Sequence, residues 1–182
     1  MLSETELEKR MDIIGQNGNE GLHYDIDEDD YSSTTVKIYI VDKAKKEQVG
    51  VAEACLDMAL AYVLERQQFG RPIASFQAIK HRCAQMLVEV ESARSAVYGA
   101  ACLADILDDA AGLLVSAAQA RVTATEAAQF CARENLQLHG GVGFTWEYDP
   151  HFYLRRAQAS SQRLGPVSEW LESVAALNDT AE

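Results

Sequence analysis

Apolar residues recur every three or four positions through most of the chain after its first 42 residues, as one face of an α-helix requires. This spacing predicts long helices over residues 43–66, 76–107 and 110–138, and the third is rich in alanine, which allows close helix packing. Residues 149–162 and 166–177 predict two shorter helices. The sequence therefore predicts an all-α fold, an up-and-down four-helix bundle with short closing helices.

The first 42 residues differ in composition from the rest. Five acidic residues crowd into positions 25–30, and the β-branched, alternating stretch 34–41 predicts one short strand. We expect residues 1–42 to form an acidic, partly disordered leader and residues 43–182 to form the bundle.

The spacing of Asp25, Asp27 and Asp29 is that of a calcium-binding loop. Such a loop needs Gly at its sixth position and Glu at its twelfth, where this chain has Asp30 and Val36. A solvated acidic run is the favoured interpretation, and no metal site is predicted.

The charge and the apolar patterning of the chain argue against nucleic-acid binding, a membrane span and a signal peptide. With 16 basic and 28 acidic residues the net charge is −12, and no strongly basic patch stands out, so we expect no nucleic-acid binding. No uncharged stretch approaches the roughly 20 apolar residues of a membrane span. The acidic N-terminus is unlike a signal peptide, and the predicted location is the cytoplasm.

The four cysteines carry no paired spacing of the kind that zinc sites or disulfide frameworks show. Each lies in an apolar, helix-like segment, which predicts free, buried and reduced thiols. They are Cys55, Cys83, Cys102 and Cys131.

Two segments are too specific to be explained by helix packing alone. They are residues 64–80, LERQQFGRPIASFQAIK, and residues 135–148, NLQLHGGVGFTWEY. In this order they resemble the C-terminal helical domain of the acyl-CoA dehydrogenases. The resemblance runs from about residue 49 to residue 156 and implies that the chain corresponds to this domain only.

The residues of the two segments have chemistry suited to a nucleotide. Arg66 and Gln68 lie at a helix end, where a guanidinium and an amide can bind an anionic group. Phe69 offers a flat apolar face, and Gly140 and Gly141 let a ligand approach the backbone closely.

The resemblance implies that the cofactor is FAD, whose pyrophosphate and adenosine end is bound across a dimer interface. The positions that match the family's FAD contacts are Arg66, Gln68, Phe69, Gln77, Gln137, Gly140 and Gly141. We interpret Tyr148, Arg155 and Arg156 as packing and salt-bridging residues, and His139 as structural.

The catalytic base of the family is not identifiable. Family enzymes remove an α-proton with a Glu, in many members within a Glu-Gly-Thr motif, and the matching stretch here begins at Leu164. The alternative position, near the start of the first bundle helix, matches Ile40. Glu47 is the nearest carboxylate, about two helical turns away. The catalytic residue is therefore unknown.

The resemblance implies a role in α,β-desaturation of an acyl-CoA thioester. The first hypothesis is an FAD-binding, base-lacking subunit whose partner chain supplies the remaining domains and the base. It resembles the base-lacking chains of heteromeric bacterial dehydrogenases, some of which act on steroid side chains. The alternative is a truncated, non-catalytic, self-associating helical module. A complete dehydrogenase made of this chain alone ranks last. All of these predict a homo- or hetero-oligomer.

Overall fold

The computed structural model of the chain describes residues 44–106, 110–163 and 166–179, and these are almost entirely helical. The predicted all-α fold is confirmed. The acidic leader, with its predicted strand at 34–41 and its Asp-rich run, lies outside the described residues.

Five α-helices follow one another within these described residues. They are α1 (Gly50–Glu65), α2 (Gln77–Ile106), α3 (Ala110–His139), α4 (Pro150–Gln162) and α5 (Val167–Asp179). A π-helical turn, Ala44–Val49, leads into α1, and 3₁₀ turns occupy Ile73–Ser75 and Gly140–Phe144.

The side-chain contacts fix the direction of each helix. Arg94 of α2 bonds Glu53 of α1, and the Cys131 thiol of α3 donates to the carbonyl of Met86 in α2. Arg82 of α2 also pairs with Glu134 of α3, so the contacts move forward along α3 as they move backward along α2, and these two helices are antiparallel. Two bonds between the first and third helical segments, Gln48 to Thr125 and Asn135 to Met58, each join residues 77 positions apart, so α1 and α3 run parallel. The first three helices thus run up, down and up, and α3 contacts all four others.

The core is built from small side chains on α3. Five of its buried alanines belong to one core cluster with apolar residues of α1 and α2 such as Val63 and Val90. Small side chains let neighbouring helices approach closely. The predicted alanine interface is therefore confirmed; its residues are Ala120, Ala124, Ala127, Ala128 and Ala132.

Two of the four cysteines depart from the predicted burial. Cys55 and Cys131 are buried, whereas Cys83 is half-buried and Cys102 is exposed. The expectation that all four are buried is wrong for Cys102, because that position falls on the outer face of α2. All four thiols are free.

A hairpin between α1 and α2 was not predicted. Strand β1 (Gln67–Gln68) pairs antiparallel with β2 (Arg71–Pro72), with Gln67 opposite Pro72 and Gln68 opposite Arg71. The helical spacing predicts only that one helix ends at residue 66 and the next begins at residue 76. None of the described helices has the length and apolar character needed to cross a bilayer.

Candidate functional site

A cleft of about 400 Å³ opens at the end of the bundle where α1 and α3 both finish. It brings together four of the predicted site residues: Arg66, Gln68, Gly140 and Gly141. Two segments more than 70 residues apart in sequence meet there because α1 and α3 run parallel. The remaining lining residues are Tyr62, Ile73, Leu138, His139 and Val142.

Arg66 is held by its backbone at the point where α1 stops. Its N–H donates to the carbonyl of Tyr62, and its own carbonyl accepts from the N–H of Ile73, both at 2.8 Å. The backbone of Arg66 is extended, which ends the helix. The Arg66 side chain is exposed and has no ion pair among the described residues. Its guanidinium is therefore available to an anion.

The hairpin places Phe69 in a strained backbone conformation. Phe69 and Gly70 form its two-residue turn with φ of 54° and 76°, the signs that a type I′ turn requires. Positive φ is uncommon for a bulky residue and tends to persist at functional sites. The Phe69 ring is 91% exposed and meets Phe76 edge-on at 6.0 Å, while the guanidinium of Arg71 lies 4.2 Å above the Phe76 ring.

The stacked rings of His139 and Tyr62 line the cleft, and the ring of Tyr148 packs against both. His139 stacks on Tyr62 with centroids 4.1 Å apart, and the edge of Tyr148 meets both rings at 5.8–5.9 Å. His139 Nδ1 lies 2.9 Å from the carbonyl oxygen of Asn135. Burial lowers the pKa of His139, and this hydrogen bond partly opposes the effect. The packing predicted for Tyr148 and the structural role predicted for His139 agree with these contacts.

The glycines at the end of α3 differ in how closely other atoms surround them. Gly140 ends the helix with φ of +64°, and a Cβ added to Gly140 or Gly141 would meet no atom within 4 Å. Both therefore border open space. Gly143 is packed instead, since a Cβ there would lie 3.0 Å from that of His139. Sequence analysis did not distinguish these positions.

Local charge also favours an anion at this end of the bundle. In a chain of net charge −12, residues 66–82 contain four basic residues and no acidic one. Arg82 is neutralised by an ion pair with Glu134 of α3. This basic segment is visible in the sequence, although the net charge of the whole chain conceals it.

Three of the seven predicted residues do not line the cleft. Phe69 projects from the hairpin, and Gln77 begins α2 with its amide 2.8 Å from the ring of His81. Gln137 is exposed on the last turn of α3.

Glu47 lies far from the cleft. It precedes α1, so the roughly 24 Å length of that helix separates it from Arg66. One oxygen of Glu47 pairs with Arg156 at 3.0 Å and with Arg163 at 2.7 Å. The salt-bridging role predicted for Arg156 is thus confirmed. No group of three potential metal ligands occurs within residues 44–106, 110–163 and 166–179.

The fold and the cleft together define an all-helical domain with a cationic, glycine-bordered cleft at one end. The family model for the acyl-CoA dehydrogenase C-terminal domain matches residues 46–167, and the chain belongs to this family. Members of this family are FAD flavoproteins.

Similar proteins extend beyond the part that this chain matches. Acyl-CoA dehydrogenase IpdE2 of Mycolicibacterium smegmatis is 45% identical over 130 residues, which are 71% of this chain and 39% of that protein. A variant of the Tcur3481–Tcur3483 steroid ACAD superimposes with a TM-score of 0.73 at 31% identity, covering 81% of this chain and 40% of that chain. The ChsE4–ChsE5 complex of Mycobacterium tuberculosis gives a TM-score of 0.69 at 29% identity, covering 80% and 38%. The chain spans about two fifths of the length of each.

Proposed function

We propose that this bundle binds the adenosine half of FAD and, together with a partner chain, contributes to the α,β-desaturation of an acyl-CoA thioester. The observation that carries the proposal is the single cleft that gathers Arg66, Gln68, Gly140 and Gly141 from two distant segments.

The donor set of this cleft fits a dinucleotide. The unpaired guanidinium of Arg66 suits a pyrophosphate, because arginine presents a fork of N–H donors to phosphate oxygens. The Gln68 amide both donates and accepts. Open space beside Gly140 and Gly141 lets a ligand approach the backbone. The cleft volume of about 400 Å³ is within the usual range for ligand pockets.

The predicted residues outside the cleft have complementary roles in this proposal. Phe69 is an exposed ring on a rigid turn, which suits contact with an aromatic ring of the cofactor. Gln77 and Gln137 are exposed amides at the start of α2 and the end of α3, and they extend the polar surface on which the adenosine half would rest.

FAD would supply the hydride acceptor for the desaturation, and Arg66, Gln68 and the Gly140–Gly141 backbone would hold its adenosine half. The residues of this chain bind and orient the cofactor, and none of the described residues is assigned as the base. Glu47 is held by two arginines at the other end of α1. We therefore propose that the Glu that removes the α-proton, and the domains that enclose the thioester, come from a partner chain, and that this bundle alone does not catalyse the reaction.

Exposed aromatic residues favour association with a partner. Phe144, Trp146 and Phe152 are exposed around the start of α4, and the Trp146 and Phe152 rings lie 5.8 Å apart. Clustered apolar surface of this kind is typical of an interface. The descriptions of two similar structures name pairs of chains, and one names a steroid ACAD. A hetero-oligomer acting on a steroid-derived acyl-CoA is thus the first assembly to test, with a homo-oligomer as the alternative. Location in the cytoplasm stays a prediction.

The test is a visible absorption spectrum of the whole purified chain after FAD is added and the sample is desalted. The proposal expects a retained flavin spectrum from the chain alone or from the chain co-purified with its partner. The Arg66→Ala variant should lose this spectrum. A colourless chain that acquires no flavin in any assembly would contradict the proposal and favour the alternative of a truncated, self-associating module.

A further inference from the structure

The hydrogen-bonding state of the His139 ring is fixed by its surroundings. A backbone carbonyl only accepts, so the contact of His139 Nδ1 with the Asn135 oxygen at 2.9 Å places the ring proton on Nδ1. In the neutral ring, Nε2 then carries a free lone pair and acts as an acceptor. Stacking on Tyr62 and the edge of Tyr148 hold the ring in this orientation.

Nε2 of His139 is the ring nitrogen that remains for a ligand. It makes no hydrogen bond in the part of the chain that the structure describes. Three side-chain atoms in the described residues are sealed from solvent and have no hydrogen-bond partner: Arg121 Nε, Asn135 Oδ1 and His151 Nδ1. His139 Nε2 is not one of them, so it is not sealed from solvent. His139 is 5% exposed and lines the cleft beside Gly140, so a ligand would have to reach this acceptor from the cleft.

The cleft therefore pairs a strong donor with an acceptor. The Arg66 guanidinium donates only, and a pyrophosphate accepts only. The adenosine half of FAD also carries donors, the ribose hydroxyls and the adenine amino group, and these need an acceptor. His139 supplies one on the same cleft.

We propose that His139 is a further cofactor-binding residue, whose Nε2 accepts a hydrogen bond from an O–H or N–H donor of the adenosine half of FAD. This inference rests on the proposed function of the cleft. His139 thus both packs against Tyr62 and selects for a ligand that offers a donor.

Protonation gives the inference a distinctive signature. A protonated His139 has a proton on both nitrogens and can no longer accept. The groups that face the ring are Tyr62 from α1 and Tyr148 from the segment before α4, and Arg66 lines the same cleft. Among these side-chain types only histidine ordinarily titrates between pH 5 and 8. FAD affinity should therefore fall as the pH is lowered in this range.

The experiment titrates FAD into the full chain, or into its complex if the partner is needed, and follows flavin fluorescence from pH 5.5 to 8. The His139→Phe variant keeps a ring for Tyr62 but has no acceptor, and we expect about 3- to 10-fold weaker binding at pH 8 and a flat pH profile. The His139→Gln variant keeps an amide oxygen near the position of Nε2. It should bind within about 3-fold of the wild type, also with a flat profile.

The control is His151→Gln, since His151 lies outside the cleft and its replacement should leave the pH profile unchanged. If His139→Phe fails to fold by circular dichroism, the comparison of wild type with His139→Gln decides. This inference alone would be overturned if the wild type binds FAD and the His139→Phe variant binds it equally well. It would also be overturned if both variants keep the pH dependence of the wild type. Absence of FAD binding by the wild type in every assembly would overturn the proposed function as well.

Discussion

The guanidinium of Arg121 on α3 donates to the carbonyl oxygen of Ser161 at 3.0 Å and so closes the last turn of α4. A second bond reaches the carbonyl of Ser160 at 3.2 Å. Arg121 is only 1% exposed, and this burial lowers the pKa of its guanidinium, while the charge of Glu47 opposes the effect. The contact between α3 and the end of α4 therefore depends on the buried, charged guanidinium of Arg121.

We expect Arg121→Leu to lower the free energy of unfolding by about 2–4 kcal/mol. The buried carbonyl of Ser161 loses the Arg121 donor, and the carbonyl of Ser160 keeps only the N–H of Arg163 at 3.4 Å. Urea denaturation measures the change. Arg133→Leu is the matched control, since Arg133 is an exposed arginine on the same helix and should shift the value by less than about 0.5 kcal/mol. An Arg121→Leu protein as stable as the wild type would show that these bonds contribute no net stability.

The Arg66→Ala variant tests the cationic side of the cleft. Removal of a charge-assisted bond to a phosphate should weaken FAD binding about 10- to 100-fold with little change in stability, because the Arg66 side chain is exposed. Flavin fluorescence titration gives the affinity. Arg94→Ala removes an arginine that pairs with Glu53 outside the cleft and should bind FAD like the wild type. Equal affinities for the two variants would contradict the role of Arg66.

The adjacent glycines should respond differently to alanine. Gly140→Ala forces an L side chain into positive φ and should cost about 1–2 kcal/mol of stability. Gly141→Ala meets open space without positive φ, so the fold should tolerate it to within about 1 kcal/mol. If the cofactor occupies that space, Gly141→Ala should weaken FAD binding while thermal unfolding stays close to that of the wild type. Unaltered FAD affinity would place the ligand elsewhere.

His139 should make the stability of the fold depend on pH. Its pKa in the folded protein lies below the ordinary 6.5, so the unfolded chain takes up the proton first as the pH falls. The contribution of neutral His139 to the free energy of unfolding is therefore fully present above pH 6.5. It is lost as the pH drops below 6.5 and through the pKa of the folded state. Urea denaturation at pH 7.5 and 5.5 should show a larger loss for the wild type than for His139→Gln. Equal losses would argue against this shift.

The cysteines should differ sharply in reactivity. Burial raises the pKa of Cys55 and of Cys131 to about 12, so these thiols carry almost no thiolate at pH 8. Cys102 is exposed and should react first with a thiol reagent such as dithionitrobenzoate. Cys55 and Cys131 should react only after unfolding, and Cys102→Ser should remove the fast phase. Fast modification of Cys55 in the native chain would contradict the packing of α1 against α3.

Much of the helical fold could be predicted from local spacing. Met86, Val90, Ala93 and Val97 recur at helical intervals and are all buried. The hairpin could not, because the turn residue Phe69 adopts positive φ, which its side chain disfavours and only the surrounding structure imposes. Helix α2 begins at Gln77, one residue after the predicted start, because Phe76 supplies the carbonyl that accepts the N–H of Lys80.

The residues of the candidate site could be predicted from the sequence, but their contacts with one another could not. Arg66 and the two glycines are conspicuous in the motifs, but their meeting in one cleft depends on the parallel course of α1 and α3. The acceptor role inferred for His139 depends on contacts with Asn135 and Tyr62, and no local pattern indicates them.

The buried alanines of α3 also limit how this protein can change over generations. A larger side chain at Ala124, Ala127 or Ala128, which are fully buried, would push α3 away from its neighbours, at a typical cost of about 1–3 kcal/mol. Substitutions are thus tolerated mainly on the outer faces of the helices, whereas the buried face of α3 accepts few. Divergent descendants should retain the small residues of α3 even where every cofactor contact has been lost.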